Sequence, residues 1–248
     1  MSDQRFLRTR MLLGEAGMQN LAVASVMVVG LGAVGGYALE ALARSGIGRL
    51  ILVDFDRFDE TNINRQILAL DSTLGRLKTE VAAERVRAIN PDCRVEVRNL
   101  FVNEESLPQL LTEQPDFVVD AIDSLNAKCC LMEELWRQKI PFISSMGAAL
   151  KTDPAAVRLA SLQKSENCAL ARMVRQRLRR RGVDLAQITC VYSCEKAVLP
   201  ATALACGAET DGVRSRRAMG SLPTITAIFG LTLANHVILK LSAADFGA

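Results

Sequence analysis

Gly30-Leu31-Gly32-Ala33-Val34-Gly35 stands between an apolar run, SVMVVG (25–30), and a helical stretch that begins at Val34. In that position a G-x-G-x-x-G turn has defined uses. Its glycines permit a tight turn, let a phosphate approach the backbone and let the helix pack closely on the strand. The helix N-terminus adds unpaired N–H groups and the positive end of a dipole. Asp54 closes the next apolar run, RLILVD (49–54), where a carboxylate can accept hydrogen bonds from ribose hydroxyls. On these residues alone NAD fits at least as well as ATP.

The residues after Asp54 shift that balance. Asp56, Asn62, Arg65 and Gln66 follow within Asp54–Gln66, and Lys78 opens the next helical stretch. A diphosphate is usually held by backbone N–H groups and a helix dipole. A triphosphate carries more charge, and in-line displacement on it requires cations on the departing pyrophosphate. Asp123, in Asp120-Ala121-Ile122-Asp123-Ser124, follows another apolar run at the sheet edge where such folds bind ligands. It could hold Mg²⁺ against the phosphates, although its position also suits a helix N-cap.

The elements that must carry these residues are readable from periodicity. Short β-branched runs at 25–30, 49–54, 94–98, 116–120 and 140–145 alternate with helical stretches at 34–46, 75–90, 104–114 and 124–138. Continuous apolar strands separated by helices predict an α/β fold, a doubly wound Rossmann-like parallel sheet covered on both faces. Residues 1–24 predict an N-terminal helical arm. After 150 the alternation stops, which predicts a smaller C-terminal lobe: strands at 157–162 and 188–195, a basic helix at 168–182, a loop at 201–221 and a closing apolar helix at 222–242. The expected division is 1–150 for the nucleotide domain with its arm and 151–248 for the substrate lobe, in one continuous domain. The closing helix is long enough to span a bilayer, but Pro223, Gly230, Asn235 and three threonines dilute it. A core or dimer-interface helix is preferred, with no membrane association.

The 248 residues include 30 basic and 27 acidic side chains, a net charge of +3; half are hydrophobic and 23% are charged. These figures exclude low-complexity disorder, collagen-like repetition and a small disulfide scaffold, and they argue against a uniformly basic coat. The seven cysteines, an odd number, cannot all pair within the chain, and the charged start MSDQRFLRTR has no apolar signal core. Reduced thiols and a cytoplasmic location are expected. No cysteine pair has C-x-x-C spacing, so no zinc is expected, and the single histidine, His236, excludes a multi-histidine centre. The cysteines read as packing residues, with Cys190, Cys194 and Cys206 the only ones in a region where a reactive thiol would be of interest.

Taken in order, G-x-G-x-x-G, D-x-D, N-x-N-R-Q, Lys and D-x-x-D resemble the ubiquitin-activating-enzyme-like adenylating superfamily over roughly residues 5–150. The resemblance implies an ATP- and Mg²⁺-dependent enzyme that adenylates a carboxylate. Carried over by motif, Gly30, Gly32 and Gly35 line the phosphate turn, Asp54 binds the ribose with Asp56 beside it, and Asn62, Arg65 and Gln66 surround the β- and γ-phosphates. Lys78 meets the α-phosphate and Asp123 is the magnesium carboxylate. Arg8, in Arg5-Phe6-Leu7-Arg8, matches an arginine that such enzymes extend into a partner subunit's site, which implies a homodimer.

The second half separates the branches of that superfamily. Activators of sulfur-carrier proteins normally bear two C-x-x-C pairs there, and this chain has none. Gly147-Ala148, Lys151-Thr152-Asp153-Pro154, Val191-Tyr192-Ser193-x-Glu195 and Gly220-Ser221-Leu222-Pro223 are instead similar to the tRNA threonylcarbamoyladenosine dehydratases, the cyclising branch. The implied chemistry adenylates the threonylcarbamoyl carboxylate of an anticodon-loop adenosine in tRNA and then closes a ring with loss of water. Arg172, Arg175, Arg177, Arg179, Arg180 and Arg181 lie in one stretch and Arg214, Arg216 and Arg217 follow. Arg172, Arg175, Arg179 and Arg180 are the candidates for gripping tRNA phosphates. Two alternatives stay open: an adenylyltransferase acting on the C-terminal glycine of a ubiquitin-like sulfur carrier, and a non-catalytic ATP-binding scaffold. A sulfur-transfer protein partner is also left open.

Overall fold

The computed structural model describes residues 4–197 and 219–243. Arg214, Arg216, Arg217, Cys206 and most of the stretch expected to be a loop lie outside the described residues.

Seven strands form one sheet: β1 (Ser25–Val29), β2 (Arg49–Val53), β3 (Arg94–Arg98), β4 (Phe117–Asp120), β5 (Phe142–Ser145), β6 (Val157–Ser161) and β7 (Thr189–Ser193), in the order β3-β2-β1-β4-β5-β7-β6. The valine-rich β1 and β4 are buried along their whole length, as strands covered on both faces require. From β1 the chain builds outward through β2 and β3, then returns to place β4 and β5 on the other side. The order therefore reverses between β1 and β4. A crevice opens there at the C-terminal strand ends, the place where open α/β sheets bind ligands.

The helices are α1 (Leu7–Val23), α2 (Gly35–Arg44), α3 (Lys78–Ile89), α4 (Leu107–Leu111), α5 (Leu125–Arg137), α6 (Ala169–Arg180) and α7 (Pro223–Ser242). The arm helix α1 is interrupted at Gly14, whose φ of +72° is not helical. The stretch expected at 104–114 yields only the short α4, with Pro108 in its first turn. Both strands expected after residue 150 form, and both extend the main sheet: β7 runs parallel to β5, and β6 lies antiparallel to β7 at the edge.

The closing helix α7 is long and apolar enough to cross a membrane. One side of it is buried: Ile225, Phe229, Leu233 and Val237 share a core with Leu39 and Leu42 of α2 and with Val26 and Val28 of β1. Gly230 permits this, because a Cβ there would lie 2.4 Å from the Val34 carbonyl oxygen. The helix thereby braces the start of α2, where the glycine turn ends.

Candidate nucleotide-binding site

Three strand ends are tied together at the crevice. The Gly30 N–H donates to the Val53 carbonyl, and the Ala121 N–H donates to the Val29 carbonyl, each at 2.8 Å. Gly30 has φ of +89°, and a Cβ there would lie 2.8 Å from the Ala121 oxygen; at Gly35 a Cβ would lie 1.8 Å from the Gly30 oxygen. Both positions are closed to any side chain. Gly32 differs, since a Cβ there would have only Gln66 Nε2 within 4 Å, at 3.9 Å. Space is left open above this glycine.

Gln66 is 6% exposed, and its Oε1 is buried without a hydrogen-bond partner. Such an atom costs about 1–3 kcal/mol unless something fills the space beside it. A primary amide can accept at one end or donate at the other. The open backbone at Gly32 with the Gln66 Nε2 donor facing it is therefore a cradle that a nucleotide phosphate fits, whereas the orphaned Oε1 calls for a donor such as a hydroxyl.

Asp54 performs two tasks. Its Oδ2 accepts from the Leu31 N–H at 2.7 Å and its Oδ1 from the Asp56 N–H at 2.8 Å, so it fixes the glycine turn. Each oxygen keeps a lone pair for a ribose hydroxyl. Beyond it, Lys78 begins α3 almost wholly buried, with Nζ 3.0 Å from Asp56 Oδ2. A cation at a helix N-terminus opposes the dipole. Asp56 offsets that cost and holds the ammonium at the crevice. Asn62 Oδ1 accepts from the Asp59 N–H at 3.3 Å, and Arg65 Nη1 donates to the Thr61 carbonyl and to Asn64 Oδ1, each at 2.8 Å. The segment thus presents its half-buried guanidinium from a short, self-bonded turn.

Asp123 is exposed in the turn between β4 and α5. The residue at the cap position of α5 is Ser124, so the capping role does not fall to Asp123. Among the described residues no group of three or more His, Cys, Asp or Glu could hold a metal ion. A magnesium ion shared between one carboxylate and substrate phosphates does not need such a group. Arg8 is exposed on α1 and does not join this cluster: Arg5, beside it, donates to the Ile89 carbonyl at the far end of α3.

The ThiF family model matches residues 6–246. The chain belongs to the ThiF family. It is 37% identical over 240 residues to the tRNA threonylcarbamoyladenosine dehydratase of Bacillus subtilis, covering 96% of this chain and 94% of that protein. The crystal structure of the Escherichia coli tRNA N6-threonylcarbamoyladenosine dehydratase in complex with AMP superposes with a TM-score of 0.87 at 38% identity, covering 98% and 97% of the two chains. Its ATP complex gives the same TM-score at 37% identity, covering 98% and 97%.

Two features of this ThiF-family chain escaped sequence reasoning. Lys128, which looks like a surface helix residue, is fully buried: its Nζ lies 2.6 Å from Asp120 Oδ2 and 3.1 Å from Ser144 Oγ. The Asp120 Oδ1 accepts from the Ile122 N–H at 3.1 Å, which sets the turn leading to Asp123. Lys151 is also buried, 3% exposed, and binds backbone carbonyls. The D-x-x-D and K-T-D-P motifs flagged both neighbourhoods, but nothing local signalled burial.

Part of the arginine run is engaged within the fold. Arg181 pairs with Glu133 of α5. Arg177 donates to Asn126 Oδ1, and Arg175 donates to the Ser165 carbonyl at 2.6 Å and to Ser165 Oγ. Arg172, Arg179 and Arg180 remain exposed and, with Arg175 and Gln176, line an open recess of about 500 Å³.

Proposed function

We propose that this chain is an ATP-dependent tRNA threonylcarbamoyladenosine dehydratase that works as a cytoplasmic homodimer. The observation carrying the proposal is a likeness to named dehydratases that runs past the nucleotide half, through the residues after 150, to 96% of the chain. The AMP and ATP complexes of the Escherichia coli enzyme support the same nucleotide at the Gly30–Gly35 turn.

In the first step a carboxylate oxygen of the threonylcarbamoyl group attacks the α-phosphorus of ATP, the bond to the bridging oxygen breaks, and pyrophosphate leaves. Gly30, Gly32 and Gly35 admit the phosphates, and Asp54 holds the ribose. Asn62, Arg65 and Gln66 surround the β- and γ-phosphates, and Lys78 meets the α-phosphate, where charge builds. Asp123 would hold a magnesium ion, which would supply further charge neutralisation to the phosphates. In the second step a nucleophile of the same modified nucleoside attacks the activated carbonyl, and AMP departs. Attack within one molecule has a high effective concentration, so no strong general base is required. A sulfur-transfer protein is not required by this chemistry either.

Arg8 serves the partner subunit's site, which its exposure on α1 favours. Exposed Met11 and Leu12 on the same helix give the arm apolar surface for a second copy. Arg172, Arg179 and Arg180 hold the tRNA backbone.

Mass spectrometry of tRNA nucleosides after incubation with protein, ATP and Mg²⁺ tests the assignment. The expected product is threonylcarbamoyladenosine less one water. Folded protein that binds ATP and yields no such product would overturn it, and pyrophosphate release driven by a carrier protein would replace it with the adenylyltransferase.

A further inference from the structure

The loop after β5 and the segment after β7 lie side by side, because the two strands run parallel and end at the same sheet edge as β1 and β4. Their side chains lock them together in both directions. Lys151 Nζ donates to the Asn167 carbonyl at 3.0 Å and to the Glu195 carbonyl. In return the Glu195 carboxylate accepts from the Thr152 N–H at 2.9 Å, the Asp153 N–H at 3.0 Å and Thr152 Oγ1 at 3.0 Å. Those N–H donors hold the Glu195 carboxyl below its ordinary pKa. A lysine that is 3% exposed is rare unless its charge is satisfied, and here the backbone carbonyls of Asn167 and Glu195 accept from it.

Two further bonds extend the brace. The Leu150 N–H donates to the Gly220 carbonyl at 2.9 Å, with Leu150 held at φ +60°. Asn64 Nδ2, one residue before Arg65 in the phosphate-binding segment, donates to the Ser221 carbonyl at 3.3 Å. The loop at 150–153 is therefore fastened to the chain leaving β7 and to the chain entering α7, and the latter is fastened to the nucleotide segment. None of these residues is among those assigned to the nucleotide.

The geometry points to Lys151 and Glu195 as positioning residues that set the substrate-facing side of the crevice, the side from which a nucleic-acid carboxylate must approach the α-phosphate. The inference rests on the dehydratase assignment and adds to it the residues that hold this wall for tRNA. Steady-state water loss on threonylcarbamoyladenosine-containing tRNA, with ATP binding measured in parallel, tests it in Glu195→Gln, Lys151→Met and the double variant. Each single variant is expected to raise the KM for tRNA about tenfold while kcat and ATP affinity stay near wild type. Because the two side chains brace one contact, the double variant is expected to be little worse than the poorer single variant. An unchanged KM for tRNA, an ATP affinity falling in step with it, or fully additive effects would overturn the inference. Wild-type protein that removes no water would remove the functional assignment and this inference with it.

Discussion

Lys128 Nζ lies 2.6 Å from the Asp120 carboxylate, and neither side chain has any exposed surface. Ser144 Oγ donates to the same carboxylate at 2.7 Å, so the pair is closed within the fold. Removing one partner of a buried pair leaves an uncompensated charge in a poorly solvated place. Lys128→Met is therefore expected to cost about 3–5 kcal/mol of folding stability, read from urea denaturation. A loss below about 1 kcal/mol would show that the pair does not hold the end of β4 in place.

Gly32 separates folding from nucleotide binding. Its two companions are closed by the backbone, whereas a Cβ at Gly32 meets only the Gln66 amide, 3.9 Å away. Gly32→Ala is expected to melt at the wild-type temperature and to lose at least about tenfold in ATP affinity, because the methyl group stands where phosphate meets backbone. Calorimetric titration beside a thermal melt reads both quantities. Wild-type affinity would move the phosphates away from this turn. Gly35→Ala, with its clash at 1.8 Å, is expected to fail at folding instead.

The contrast between these sites explains what the sequence made legible. The glycine turn, Asp54 and the strand runs announce themselves because their constraints are local: a positive φ at Gly30, a carboxylate one residue past a strand, and valines covered on both faces. Lys128 and Glu195 were illegible as structural groups, because their partners are 8 residues away across an element boundary and 43 residues away across two strands. Residue type alone leaves Lys128 one letter of a helical stretch and Glu195 a motif letter. The antiparallel run of β6 was hidden for a similar reason, since a strand's composition does not encode its direction. Arg175 shows the reverse error: a charge expected to grip tRNA phosphates is engaged with Ser165.

Cys190 is fully buried in β7, and burial pushes its thiol up to about 12. Burial likewise raises Cys93, to about 11, and raises Cys129. The thiolate is the nucleophile, so these three are expected to resist a disulfide exchange reagent at pH 8 in the folded protein and to react once urea unfolds it. The linkage has a definite sign. A Cys190 thiol raised above its unfolded value of 9.0 keeps the fold fully stable below that value. Stability then falls as pH rises from 9.0 towards about 12. Rapid labelling of Cys190 at pH 8 would contradict its burial, and loss of water removal in a folded Cys190→Ala would give the thiol a role beyond packing.

Arg179 and Arg180 are the arginines of α6 best placed to report on tRNA. Both are exposed and line the recess on that helix, whereas Arg175, Arg177 and Arg181 are engaged with Ser165, Asn126 and Glu133. Reversing Arg175 would disturb the loop at 165 and confuse docking with folding. Arg179→Glu with Arg180→Glu leaves the buried side of the helix, Ala171, Val174 and Leu178, untouched. A protein that neutralises phosphates releases condensed counterions, so its affinity falls steeply with salt. Loss of two such contacts is expected to flatten the slope of log affinity against log salt by about 2 and to weaken binding uniformly across tRNA sequences. Filter binding between about 50 and 200 mM salt measures that slope. An unchanged slope with ATP binding intact would place the tRNA backbone on another face of the molecule.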